Sequence, residues 1–134
     1  MLEGTKNQIS FFKDKSSLEN GVDFIGLIGK QGRLESALFK NDINLTKEKK
    51  EMYMMGLRLQ NSMQSDYDSD FGSVSYTVIE RENSKFVSIS TISHTVLAIM
   101  KKSINHIKVI KKIKIALGNL ENEKPKEKLL SEKK

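Results

Sequence analysis

The chain is 134 residues long, 37% hydrophobic and 30% charged, with 23 Lys and Arg against 17 Asp and Glu for a net charge of +6. That length builds one core and is too short for two; the lack of cysteine excludes a disulfide frame, a thiolate metal site and a cysteine nucleophile. No apolar run approaches the ~18 residues of a membrane span, and MLEGTKNQIS lacks the apolar core of a signal peptide, so a cytoplasmic, non-spanning protein is expected.

In chain order, Thr5 and Gln8 form a capping box ahead of Ile9, Phe11 and Phe12, which predicts a helix over residues 5–18, stopped by Asn20-Gly21. Val22–Ile28 is a β-branched, glycine-punctuated apolar run and reads as a strand. Gly29-Lys30-Gln31-Gly32 makes a turn, and Arg33–Phe39 alternates, with Leu34, Ser36 and Leu38 on one side, so a hairpin is expected. Thr46 opens a second helix reaching about Gln64. Its Met52, Met55, Gly56, Leu59 and Met63 have the spacing of a core stripe, while Tyr53, Met54 and Leu57 widen the apolar arc beyond one face. An arc that wide implies a second surface to cover.

Asp66–Gly72 reads as an acidic loop. Ser73–Glu80 alternates through Val74, Tyr76 and Val78; Lys85–Ile92 alternates through Val87 and Ile89; Thr95–Met100 is continuously apolar, as a central strand would be. Short turns join the three into an antiparallel meander. Ser103 is placed to cap a last helix to about Leu120, with a seam of Ile104, Ile107, Ile110, Ile113, Leu117 and Leu120. Residues 1–120 are expected to form one domain, and the Glu- and Lys-rich residues 121–134 a disordered tail or at most frayed helix.

Charge is segregated. Residues 101–117 carry Lys101, Lys102, Lys108, Lys111, Lys112 and Lys114 without an acid, whereas residues 66–84 carry Asp66, Asp68, Asp70, Glu80 and Glu82 against Arg81 alone. The three aspartates have the odd-position spacing of a calcium loop, but Phe71 stands where that loop needs glycine and Thr77 where it needs a bidentate glutamate. The two histidines, His94 and His106, have no metal-ligand spacing, and no serine sits in a nucleophile elbow, so neither metal, cofactor nor catalysis is expected. The lysines of the last helix, with Lys101 and Lys102, can contact phosphate or rim a buried seam as snorkelling side chains; no aromatic residue interleaves with them to stack bases. Gly29–Gly32 resembles the G-x-x-G loop by which KH domains clamp a nucleic-acid backbone, although flanking segments of strand composition also suit a plain tight turn.

Phe24-Ile25-Gly26-Leu27-Ile28 followed by Gly32-Arg33-Leu34 and Ala37 resembles the opening hairpin of the roadblock, or dynein light chain-type, family. Val74–Met100 resembles its meander, and Asn105–Leu117 its closing helix. The resemblance implies an α+β domain: a five-stranded antiparallel sheet with helices on its faces, in the order helix, hairpin, helix, meander, helix. It also implies a non-enzymatic homodimer that pairs central helices and the middle strand of each sheet, serving as a platform for small Ras-like GTPases or as a scaffold subunit. On that reading Tyr53, Met54 and Leu57 of the second helix, with Val74 and Tyr76, are interface candidates. Two other functions stay open: nucleic-acid binding through Gly29–Gly32 or through Lys101, Lys102, Lys108, Lys111 and Lys112, and small-molecule sensing between sheet and helix, for which the sequence offers no polar anchor.

Overall fold

The computed structural model describes the backbone of residues 21–123 and the side chains of residues 21–118. The helix predicted at 5–18, the side chain of Leu120 and residues 124–134 lie outside the described residues. Strands β1 (Val22–Gly29) and β2 (Leu34–Phe39) are followed by helix α1 (Lys47–Ser65), a helical turn α2 (Asp68–Phe71), strands β3 (Thr77–Glu80), β4 (Lys85–Ser90) and β5 (His94–Met100), and helix α3 (His106–Glu123). The strands form one antiparallel sheet in the order β2-β1-β5-β4-β3. The five-stranded antiparallel α+β architecture is therefore present, with α1 and α3 packed on opposite faces, and no helix among the described residues is long and apolar enough to cross a membrane.

Strand β5 lies at the centre, as its unbroken apolar run requires, because it must bury side chains on both faces. On the α3 face Val22, Leu27, Val87, Val96, Ala98 and Met100 meet Val109, Ile110, Ile113 and Leu117; on the α1 face Phe24, Ile28 and Leu97 meet Met54 and Leu57. The β1–β2 connection is the expected hairpin turn, closed by Gly32 N–H to the Gly29 carbonyl at 2.9 Å. Gly32 has φ +85°, and a Cβ there would lie 3.0 Å from Met55 Cγ and 3.1 Å from Met55 Cα, so both backbone and space demand glycine. The Gly29–Gly32 loop thus joins two antiparallel strands, whereas a KH loop joins helices.

Several boundaries and faces differ from expectation for local reasons. Pairing of Ile28 with Leu34 and Leu27 with Ser36 leaves Glu35 in a bulge, which puts Leu34 on the α1 face and Leu38 on the α3 face, where simple alternation puts them together. Thr46 caps α1 as predicted, accepting from the Lys49 N–H at 3.2 Å. The cap of α3 is instead Asn105, whose Oδ1 accepts from the Ile107 N–H at 3.0 Å; Ser103 lies in the preceding turn, and Ile107 points outward. The acidic segment holds the helical turn α2 where a loop was expected. Strand β3 begins only at Thr77, since its pairing with β4 ends at Thr77–Ser88; residues 73–76 run on without strand hydrogen bonds.

Candidate functional site

Helix α1 presents three faces. Met54 and Leu57, 1% and 6% exposed, point into the sheet against Phe24, Ile28 and Leu97. Tyr53 flanks them, its ring set edge-on to Phe86 of β4 at 5.9 Å, with the Arg81 guanidinium 5.3 Å from the same Phe86 ring. Burial pushes the Tyr53 phenol above its ordinary pKa, and the nearby Arg81 charge partly offsets that rise. Opposite the core, Met52, Met55, Leu59 and Met63 are 56–71% exposed and form one apolar row along the helix.

This reverses the sequence reading of the helix. The row with ideal stripe spacing faces outward, and Met54 and Leu57, expected on a second surface, fill the chain's own core. The physical reason is lateral: the sheet offers Phe24, Ile28 and Leu97 to whichever arc fits between them, and Arg58 and Asn61, on the same side as Met54, find polar partners on β4 and β5. The second apolar surface inferred from the width of the arc exists, but different residues make it.

Among the described residues the sheet ends on this side in β3, which has a neighbour on one side only. Residues 73–76 prolong that open edge, with Val74 and Tyr76 48% and 38% exposed, as interface candidates must be. Ser75 is held by Lys114 of α3, whose ammonium donates to its hydroxyl, and the Tyr76 ring lies 6.4 Å from that of His106. An open strand edge is a template for a further strand, and an exposed apolar helix face for a further helix.

The basic candidates are dispersed. Lys101, itself exposed, lies 3.8 Å from the half-buried Asp23, and Lys102 lies 3.5 Å from the exposed Glu80, while Lys108, Lys111 and Lys112 are exposed on the outer side of α3. Lys101 follows β5 at the Gly21 end of β1, and Gly29–Gly32 lies at its other end, so the structure does not bring the glycine loop and these lysines into one surface.

The C-terminal half of α1, α2, residues 73–77 and β4 enclose a cleft of about 450 Å³. Its polar framework was not visible in the sequence. Arg58 Nη1 donates to Thr95 Oγ1 at 2.8 Å, Asn61 Nδ2 donates to Ser90 Oγ, and the Ser90 and Thr95 hydroxyls are 2.7 Å apart. Arg58 Nε is buried without a hydrogen-bond partner. The signal available was the set Thr77, Ser88 and Ser90, which alternation puts on one sheet face; only the tertiary structure sets it opposite Arg58 and Asn61.

Comparison with solved structures identifies the fold. The chain is similar to the roadblock/LC7 domain from Streptomyces avermitilis, with TM-score 0.60 and 9% identity over 76% of this chain and 84% of that one. It is similar to MglB of Myxococcus xanthus, with TM-score 0.62 and 13% identity over 86% and 83%, and to the gliding protein MglB of Thermus thermophilus, with TM-score 0.61 and 11% identity over 91% and 86%. No protein-family model matches the chain, and no curated protein matches it in sequence. The fold is of the roadblock type.

Proposed function

We propose that this chain is a non-enzymatic interaction module that pairs with a second copy of itself through the outer row of α1 and the open edge of β3. Such a pair would act as a regulator or scaffold for a small Ras-like GTPase. The observation that carries the reading is the row Met52, Met55, Leu59 and Met63, exposed over about three helical turns, in a fold whose β3 edge has no further strand among the described residues. Four large apolar side chains in line on one helix are a patch that asks for a cover, unlike apolar residues scattered singly over a surface. A two-fold axis between α1 and β3 satisfies both features at once, since an isologous contact sets each patch against its own copy.

The interface candidates on this reading are Met52, Met55, Leu59 and Met63, with Val74 and Tyr76; Tyr53 sits at the margin, and Met54 and Leu57 support the helix from inside. The GTPase arm rests on the roadblock-type fold. Light scattering from low to high micromolar concentration tests the pairing: a mass of two chains is expected, and one chain throughout would refute it. The GTPase arm is tested with a purified Ras-like GTPase encoded in the same genome, by measuring nucleotide hydrolysis with and without this chain. An unchanged rate together with no co-elution would remove it.

A further inference from the structure

We propose that the cleft between α1, residues 73–77 and β4 is a binding site for a small oxyanion, the carboxylate or phosphate group of a low-molecular-weight ligand, with Arg58 as its cationic anchor. The volume of about 450 Å³ falls within the usual range for small-molecule sites. Arg58 lines it, yet no carboxylate is in ion-pair contact with this guanidinium among the described residues. Thr95 takes one Nη1 hydrogen, and Nε has no acceptor. A half-buried guanidinium with that few acceptors is costly to keep in a fold, and a planar oxyanion is the group its donors match best.

The remaining lining suits a small polar ligand. Asn61 and Ser90 tie the floor to Thr95, so that Arg58 is held in place before any ligand arrives. Ser88, Thr77 and Ser73 add hydroxyls that can donate to oxygen atoms, and Val74, Tyr76 and Ile92 supply apolar contact on one side. Asp68 also lines the cleft and opposes negative charge there, so an occupant held at Arg58 by a single anionic group is favoured over a polyanion. The site takes no residue from a second copy of the chain, although Val74 and Tyr76 at its margin are also part of the pairing surface proposed above.

The probes are inorganic phosphate, succinate and, as an uncharged control, glycerol, each titrated into the full chain at constant ionic strength. Binding is followed by amide chemical shifts and melting temperature. Phosphate or succinate is expected to give saturable shifts at residues 58–62 and 88–91 and a higher melting temperature; the arm that saturates at the lower concentration names the headgroup. Arg58→Gln, which keeps a donor for Thr95, is expected to weaken that binding at least tenfold, and Arg58→Lys to weaken it less. Ser88→Val, which leaves the guanidinium untouched while narrowing the cleft, keeps the test alive if Arg58→Gln does not fold, and is expected to weaken binding as well. Absence of saturable shifts for both anions, equal shifts with glycerol, or unchanged binding in the variants would each overturn the assignment. Oligomeric mass is recorded in the same samples, so that loss of binding and loss of pairing are read separately.

Discussion

Leu59→Glu places a carboxylate in the middle of the outward row of α1, between Met55 and Met63, and tests what that row is for. Fully burying a leucine is worth about 1.5–3 kcal/mol. With 63% of Leu59 open in the single chain, each copy withdraws about 1–2 kcal/mol of apolar surface from water on pairing. A two-fold interface contains the residue twice, so the substitution removes about 2–4 kcal/mol, which weakens association roughly 30- to 900-fold. Desolvating two carboxylates adds to that loss. The single chain should barely notice, because Leu59 lies outside both core clusters and exposed substitutions usually change stability by less than about 0.5 kcal/mol.

Sedimentation equilibrium gives the association constant, and thermal melting at a concentration where both proteins are single chains gives the folding stability. Leu57→Glu is the contrast: that side chain is part of the core beneath α1, so an unpaired buried charge should unfold the domain rather than dissociate it. A Leu59→Glu protein that pairs as tightly as the original, or one that is unfolded while Leu57→Glu is not, would refute the assignment of the two faces.

Val74→Pro removes an N–H from the open edge without breaking any strand pair of the single chain; folding stability should hold while pairing weakens, and unchanged pairing would exclude the edge from the interface. Gly32→Ala should cost at least about 1–2 kcal/mol in denaturant melts, from its left-handed backbone alone, with the clash against Met55 added. Tyr53→Phe should flatten the alkaline limb of stability. With the folded phenol pKa raised above 10.0, the folded state holds the proton that the unfolded chain releases, so the stability it contributes below pH 10 falls away as pH rises through the folded pKa. Equal alkaline melting of the two proteins would contradict the burial of that hydroxyl.

Local patterns carried the architecture because each strand announces itself within a few residues. The glycine turn at 29–32 closes the first hairpin, and the unbroken apolar run Thr95–Met100 could only be a strand buried on both faces. The resemblance that named the five-stranded antiparallel sheet rested on the same hairpin, meander and closing helix, and that sheet is present. The strand at its spatial middle, β5, is paired on both sides, so of β5 and the third strand in chain order, β3, only β3 at the edge is open to a further strand. Boundaries failed where two local solutions compete: Ser103 and Asn105 both suit a cap, and the choice belongs to the turn that brings Ile104 over Gly21 and the α3-face core.

The interaction surface was legible only in outline. Periodicity along α1 separates two apolar rows but is silent on which one the sheet will take, because that depends on Phe24, Ile28 and Leu97, residues far away in sequence. The width of the arc did show that one helix had more apolar surface than a single core face needs. Which four residues form the excess was decided by packing: Met54 and Leu57 fit the sheet's inner face while Arg58 and Asn61 reach Thr95 and Ser90. The cleft lies wholly on the tertiary side of that division. Its anchor joins positions 37 apart, and no spacing rule along a chain links an arginine on one helix to a threonine on a strand two hairpins later.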